Sequence, residues 1–120
     1  MRRVLLLALL APGAVAAQAA QAAPTQERQQ APPTQERQQA LVRLVRQDCG
    51  SCHGMTLGGG LGPPLTREAL AERSLESLVA TTLYGRPGTP MPGWKTMLSA
   101  VDAHWIAQQL QAGFPAEGRR

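Results

Sequence analysis

The chain has 120 residues, room for one domain, and is 43% hydrophobic but only 3% aromatic. Its 12 Lys and Arg outnumber 8 Asp and Glu. No basic tract is interleaved with aromatics, which argues against nucleic acid as a partner.

The N-terminal stretch "MRRVLLLALLAPGAVAAQAAQAA" opens with Arg2 and Arg3, continues as an apolar run from Val4 to Ala11, and ends in small residues. That order is the layout of a secretory signal over residues 1–17, cut after Ala17, with Ala20 and Ala23 as further cleavage positions. The apolar run is far shorter than the roughly 20 residues of a spanning helix, and Pro12-Gly13 breaks it, so no stable membrane anchor is expected. Export places the chain in an oxidising compartment. Loss of Arg2 and Arg3 leaves 10 basic against 8 acidic residues, a net of +2.

Residues 18–37 form a Gln/Ala/Pro-rich linker containing "TQERQQA" at 25–31, repeated at 34–40. Two copies are too few and too short for a solenoid. The second copy runs into a helix, with Thr34 as its cap and Glu36 in its first turn.

The globular part covers 38–113, followed by a tail at 114–120. Leu41, Leu44, Val45 and Cys49 recur at helical spacing, and Gly54 offers a stop. The loop "GMTLGGGLGPPL" follows, and a short helix is expected after Thr66. A firmer helix starts at Ser74, carries Leu75, Leu78, Val79, Thr82 and Leu83 on one stripe, and ends at Gly85. "GRPGTPMPGW" reads as loop. Ser99 and Asp102 form a capping-box start for a last helix with Ala103, Ile106, Ala107 and Leu110 on one face, ending near Gly113. No period-two strand occurs, so the fold class is all-α, three to five helices. A unit of about 75 residues rarely supplies enough burial without a staple or a bound group. The only aromatics of the chain are Tyr84, Trp94, Trp105 and Phe114. A large apolar component is missing from the inventory.

"QDCGSCHG" holds the two cysteines, Cys49 and Cys52, followed by His53. A thioredoxin-like dithiol switch requires a strand leading into the motif, and here a helix leads in. A Cys49–Cys52 disulfide would close a very short loop and stabilise little. Structural zinc uses two separated ligand pairs, and no second pair exists. C-x-x-C-H is instead the attachment signature of c-type haem: two thiols one helical turn apart for two thioether bonds, then an imidazole for the iron. Such a haem supplies the missing apolar core.

Candidates for the remaining axial position are Met55, Met91, Met97 and His104. Met55 is too close to His53 in the chain to reach the opposite face. His104 falls beside Gln108 and Gln111 on the polar side of its helix and reads as solvated. Met97, before Leu98, reads as core packing. Met91 is favoured, because Pro90 and Pro92 hold its loop extended. Histidine and methionine together raise the haem potential and leave no open position, which suits electron transfer.

"CGSCHG", "LGPPL" and "GTPMPGW", in that order, resemble the class I monohaem cytochromes c over residues 38–113. The flanking phrases are similar to the small NirC-type cytochromes accompanying cytochrome cd1 nitrite reductase in denitrifying bacteria. The resemblance implies a small class I fold around one covalent haem c, with thioethers at Cys49 and Cys52 and axial iron bonds from His53 and Met91. It implies that the Pro63 carbonyl accepts the second ring proton of His53 and that Leu65 and Trp94 pack on the haem. Leu41, Leu44 and Val45 are expected to face Ile106 and Leu110, and Arg86 to lie near a propionate or in solvent. The glycine run 58–60 departs from the family pattern. The implied function is that of a monomeric periplasmic electron carrier, not an enzyme, exchanging single electrons with redox partner proteins to or around the nitrite reductase. The alternatives are an accessory role in maturation of that reductase or its haem d1, and a haem peroxidase.

Overall fold

The computed structural model describes residues 31–116; the expected signal segment, the linker up to residue 30 and the tail after 116 lie outside the described residues. Helix α1 spans Gln35–Leu44. Thr34 Oγ1 accepts the Arg37 backbone N–H at 3.3 Å, and Glu36 lies in the first turn, where its charge suits the helix dipole. The backbone then widens into a π-helical stretch, Val45–Cys49, with the Gly50 N–H reaching back to the Val45 carbonyl. It tightens again into the single turn α2, Gly50–His53, which Gly54 ends. The wide stretch runs from Val45, which is buried in the core, to Cys49, which packs against it, and such π-turns often occur at functional sites.

Residues 66–73, expected as a short helix, form a run of turns instead. The Leu70 N–H bonds to Thr66 O, but the Ala71 and Arg73 N–H groups bond only three residues back. Thr66 Oγ1 accepts the Ala69 N–H as a helix cap would, but beyond Leu70 the bonds do not continue four residues back. Helix α3, Leu75–Tyr84, is capped by Ser74, whose Oγ accepts the Ser77 N–H. Helix α4, Ala100–Ala112, starts with the expected capping box between Ser99 and Asp102 and ends at Gly113. No strand occurs among the described residues.

Helix α3 packs on α4. One core contains Leu41 and Val45 from the first helical segment, Leu83 from α3, and Ala103, Ile106 and Leu110 from α4. Leu57, Leu70 and Leu98 join it from the loops, and Leu44, Trp94, Trp105 and Phe114 pack at its margin. Two arginines tie the first helical segment to the two ends of α4. Arg37 Nε and Nη2 donate to Asp102 Oδ1 and Oδ2 at 3.1 and 2.9 Å, and Nη2 also donates to the Met97 carbonyl. Arg46 donates to the carbonyls of Phe114 and Pro115, with its guanidinium 5.5 Å from the Phe114 ring centroid. Met97, expected in the core, is 58% exposed; its neighbour Leu98 is buried in its place. The Arg37 bond to the Met97 carbonyl holds the backbone there, and the core side chain is supplied one residue later.

Candidate functional site

Cys49 ends the π-helical stretch and Cys52 lies in α2. Both line one cavity of about 780 Å³, within the roughly 300–1,000 Å³ usual for small-molecule and cofactor sites. Cys49 is largely covered and Cys52 exposed. Burial first, and then the charge of Asp48, push the Cys49 thiol, while it is free, up to about 11.

His53, the next residue, is buried. Its Nδ1 lies 2.7 Å from the Pro63 carbonyl oxygen. A carbonyl only accepts, so Nδ1 carries the proton and Nε2 keeps its lone pair for a metal. The loop that delivers Pro63 is fastened to the end of the helix. The Gly59 N–H donates to His53 O and the Gly62 N–H to Cys52 O, each at 2.8 Å. Gly62 lies flat against the imidazole; a Cβ there would sit 2.8 Å from both Cε1 and Nδ1. The glycine run 58–60 is thus part of a bonded turn that caps the helix carrying both thiols.

Met91 reaches the same cavity from the loop between α3 and α4. That loop folds back on α3: the Trp94 and Lys95 N–H groups donate to the carbonyls of Thr82 and Leu83. The Arg86 N–H donates to Met91 O. Gly85, at φ 71°, lets the Met91 carbonyl approach where a Cβ would come within 2.6 Å.

The structure therefore brings Cys49, Cys52, His53 and Met91 to one cavity, and Leu65, Trp94, Ile106 and Leu110 line it as well. His104 is exposed and Met55 is 65% exposed; neither lines the cavity. Arg86 lines it, and so do Arg73, Ser77 and Thr81, which the sequence reading did not single out. Their four-residue spacing was the available signal, but a polar stripe reads equally well as a solvated face.

An iron porphyrin fits this arrangement: apolar walls, two thiols one turn apart, and an imidazole whose free nitrogen is fixed by the bond at the other. The alternative of a bare zinc site finds no ligand set, since among the described residues no three His, Cys, Asp or Glu side chains converge to hold a metal ion.

Residues 36–109 match the family described as "Cytochrome C oxidase, cbb3-type, subunit III". The chain is 53% identical over 94 residues to "Cytochrome c55X" of Stutzerimonas stutzeri, covering 78% of this chain and 75% of that protein. The solved structure of "c-type cytochrome NirC" is 57% identical, with a TM-score of 0.66, over 67% of this chain and 94% of that one. That of "Dihydro-heme d1 dehydrogenase NirN in complex with DHE" is 34% identical, with a TM-score of 0.56, over 64% of this chain and 16% of that one. A helical fold without strands in the described residues, a thiol-thiol-imidazole cavity and these similarities agree: the chain belongs to this cytochrome c family, as a small relative of cytochrome c55X and NirC, and carries covalently bound haem c with its iron.

Proposed function

We propose that this protein is a monomeric periplasmic carrier of single electrons in denitrification, acting to or around cytochrome cd1 nitrite reductase. The reading rests on one observation: His53, with its Nδ1 proton committed to Pro63, and Met91, on a loop braced against α3, line the same cavity as both thiols. Cys49 and Cys52 hold the haem by thioethers, and His53 and Met91 ligate its iron. The haem supplies a one-electron iron couple. The protein's residues fix the two ligands, cover the porphyrin with apolar side chains and leave no position for an added ligand, which separates a carrier from a peroxidase. Export through the 1–17 segment places it with such partners, and among the described residues no helix is long and apolar enough to cross a membrane.

The test uses haem-loaded protein made with working cytochrome-maturation machinery. Met91→Ala should lower the reduction potential and allow added imidazole to bind, both read by optical titration. An unchanged potential with no imidazole binding would remove Met91 from the site. Covalent haem in a periplasmic extract, read by haem staining on a denaturing gel, tests the location.

The likeness to a dihydro-haem d1 dehydrogenase favours a second reading, an accessory in maturation of the reductase or its haem d1. A deletion strain separates the two. Reductase lacking its d1 cofactor indicates maturation, and fully loaded but slowly reduced enzyme indicates the shuttle.

A further inference from the structure

Leu57 is the one non-glycine residue with positive φ among the described residues, at 63°. The left-handed backbone is unfavourable for leucine, and glycine adopts it freely. The surrounding loop is rich in glycine, and Gly54 and Gly59 adopt positive φ themselves. A leucine at 57 therefore implies that its side chain is needed. That side chain is 2% exposed and belongs to the same core as Leu41, Ile106 and Leu110.

The backbone of Leu57 also closes the loop. Its N–H donates to Gly54 O at 2.7 Å, and its carbonyl accepts the Leu65 N–H at 2.8 Å. Leu65 lies two residues beyond Pro63, whose carbonyl accepts the His53 ring proton. Gly62, the residue before Pro63, is held by the Cys52 carbonyl. Pro63 is thus secured on its N-terminal side by the helix end and on its C-terminal side by Leu57.

We propose that Leu57 is a positioning residue for His53: its buried side chain anchors the 54–65 loop to the core, and its carbonyl fixes the segment whose Pro63 oxygen orients the imidazole. The inference rests on His53 being an iron ligand. A fixed acceptor at Nδ1 sets both the ring orientation and the electron donation of the ligating nitrogen.

The experiment compares haem-loaded wild type, Leu57→Ala, Leu57→Met and, as a control, Leu98→Ala. Leu98 is buried in the same core but does not line the cavity. The first readout is solvent exchange of the His53 Nδ1 proton by NMR in the reduced state; the second is the reduction potential. Leu57→Ala should speed exchange by about tenfold or more, the equivalent of about 1.4 kcal/mol of opening, and raise the potential as the hydrogen bond loosens. Leu57→Met should restore both, and Leu98→Ala should destabilise the fold without moving either. If Leu57→Ala changed only the unfolding midpoint, or if Leu98→Ala moved the imidazole proton equally, Leu57 would be ordinary core. Should Leu57→Ala fail to assemble, wild type decides: the Leu65 amide and the His53 ring proton must exchange through one opening, with the same denaturant dependence. If the ring proton exchanged by a separate, easier opening, the proposal would be overturned. Failure of the ligand assignment looks different, since the wild-type His53 ring signals would then lack the shifts of an iron-bound imidazole.

Discussion

At Gly62 a single added carbon would press directly on the His53 ring. A Cβ there would stand 2.8 Å from His53 Cε1 and Nδ1, and the ring, buried and bonded to Pro63, has little room to retreat. Gly62→Ala should lower the stability of the haem-loaded protein by about 1–3 kcal/mol, the usual cost of overpacking, measured as a shift in denaturant midpoint against wild type. An unshifted midpoint would mean that the loop moves off the imidazole at no cost. At this scale the sequence is legible where the chemistry is local. Cys49, Cys52 and His53 fall within five residues, so their convergence on one cavity is readable without any fold, and the proline-flanked Met91 lines the same cavity. Leu57 was not legible: nothing in "GMTLGGGLG" shows that the leucine, among so many glycines, takes the left-handed backbone. Met97 and Leu98 illustrate the same limit: two neighbouring apolar residues precede the last helix, and only the second is buried.

At the scale of elements, helix starts were legible because caps are short-range: Thr34, Ser74 and Ser99 each accept an N–H three residues on. The joint between elements was not. Arg37 and Asp102 are 65 positions apart, and Asp102 already had a local explanation as the second half of a capping box. The Arg37 hydrogen bond, with help from the Ser99 N–H and hydroxyl, holds the Asp102 carboxyl below the ordinary carboxylate range despite its burial. The same bond raises the Arg37 guanidinium. Because the folded carboxyl is the stronger acid, the pair stabilises fully above the ordinary aspartate value of about 3.9 and is lost as pH falls through the lowered folded value. Asp102→Asn should cost about 1–2 kcal/mol at pH 7, reduced from a fully buried pair because Arg37 is 40% exposed. Denaturant titrations from pH 7 down to about pH 2 should show wild type and variant converging only below about pH 4. A gap constant across that range would show that the charge on Asp102 contributes nothing.

At the scale of the whole molecule, the walls of the cavity are supplied by every helical segment except α1: Val45 and Cys49 from the π-helical stretch, Cys52 and His53 from α2, Leu78 and Thr82 from α3, Ile106 and Leu110 from α4. Several of these also belong to the core, so core and cofactor site are one structure rather than a scaffold with a pocket added. Without an occupant, the apolar side chains around this cleft of about 780 Å³ would face water instead of being buried. The total stability of a small domain is only about 5–15 kcal/mol, so that lost burial matters. The same reasoning made the scarcity of aromatics meaningful in the sequence, although composition gives neither the shape nor the walls of the space. The haem-free Cys49→Ser, Cys52→Ser double variant should therefore lose most of its helical circular dichroism at 25 °C and show no cooperative thermal transition. The two hydroxyls add little cost of their own, since Cys52 is already exposed and Cys49 sits at the cavity wall. A haem-free chain that kept wild-type helicity and melted cooperatively would show that the protein core alone suffices, and that the haem is a passenger in the fold.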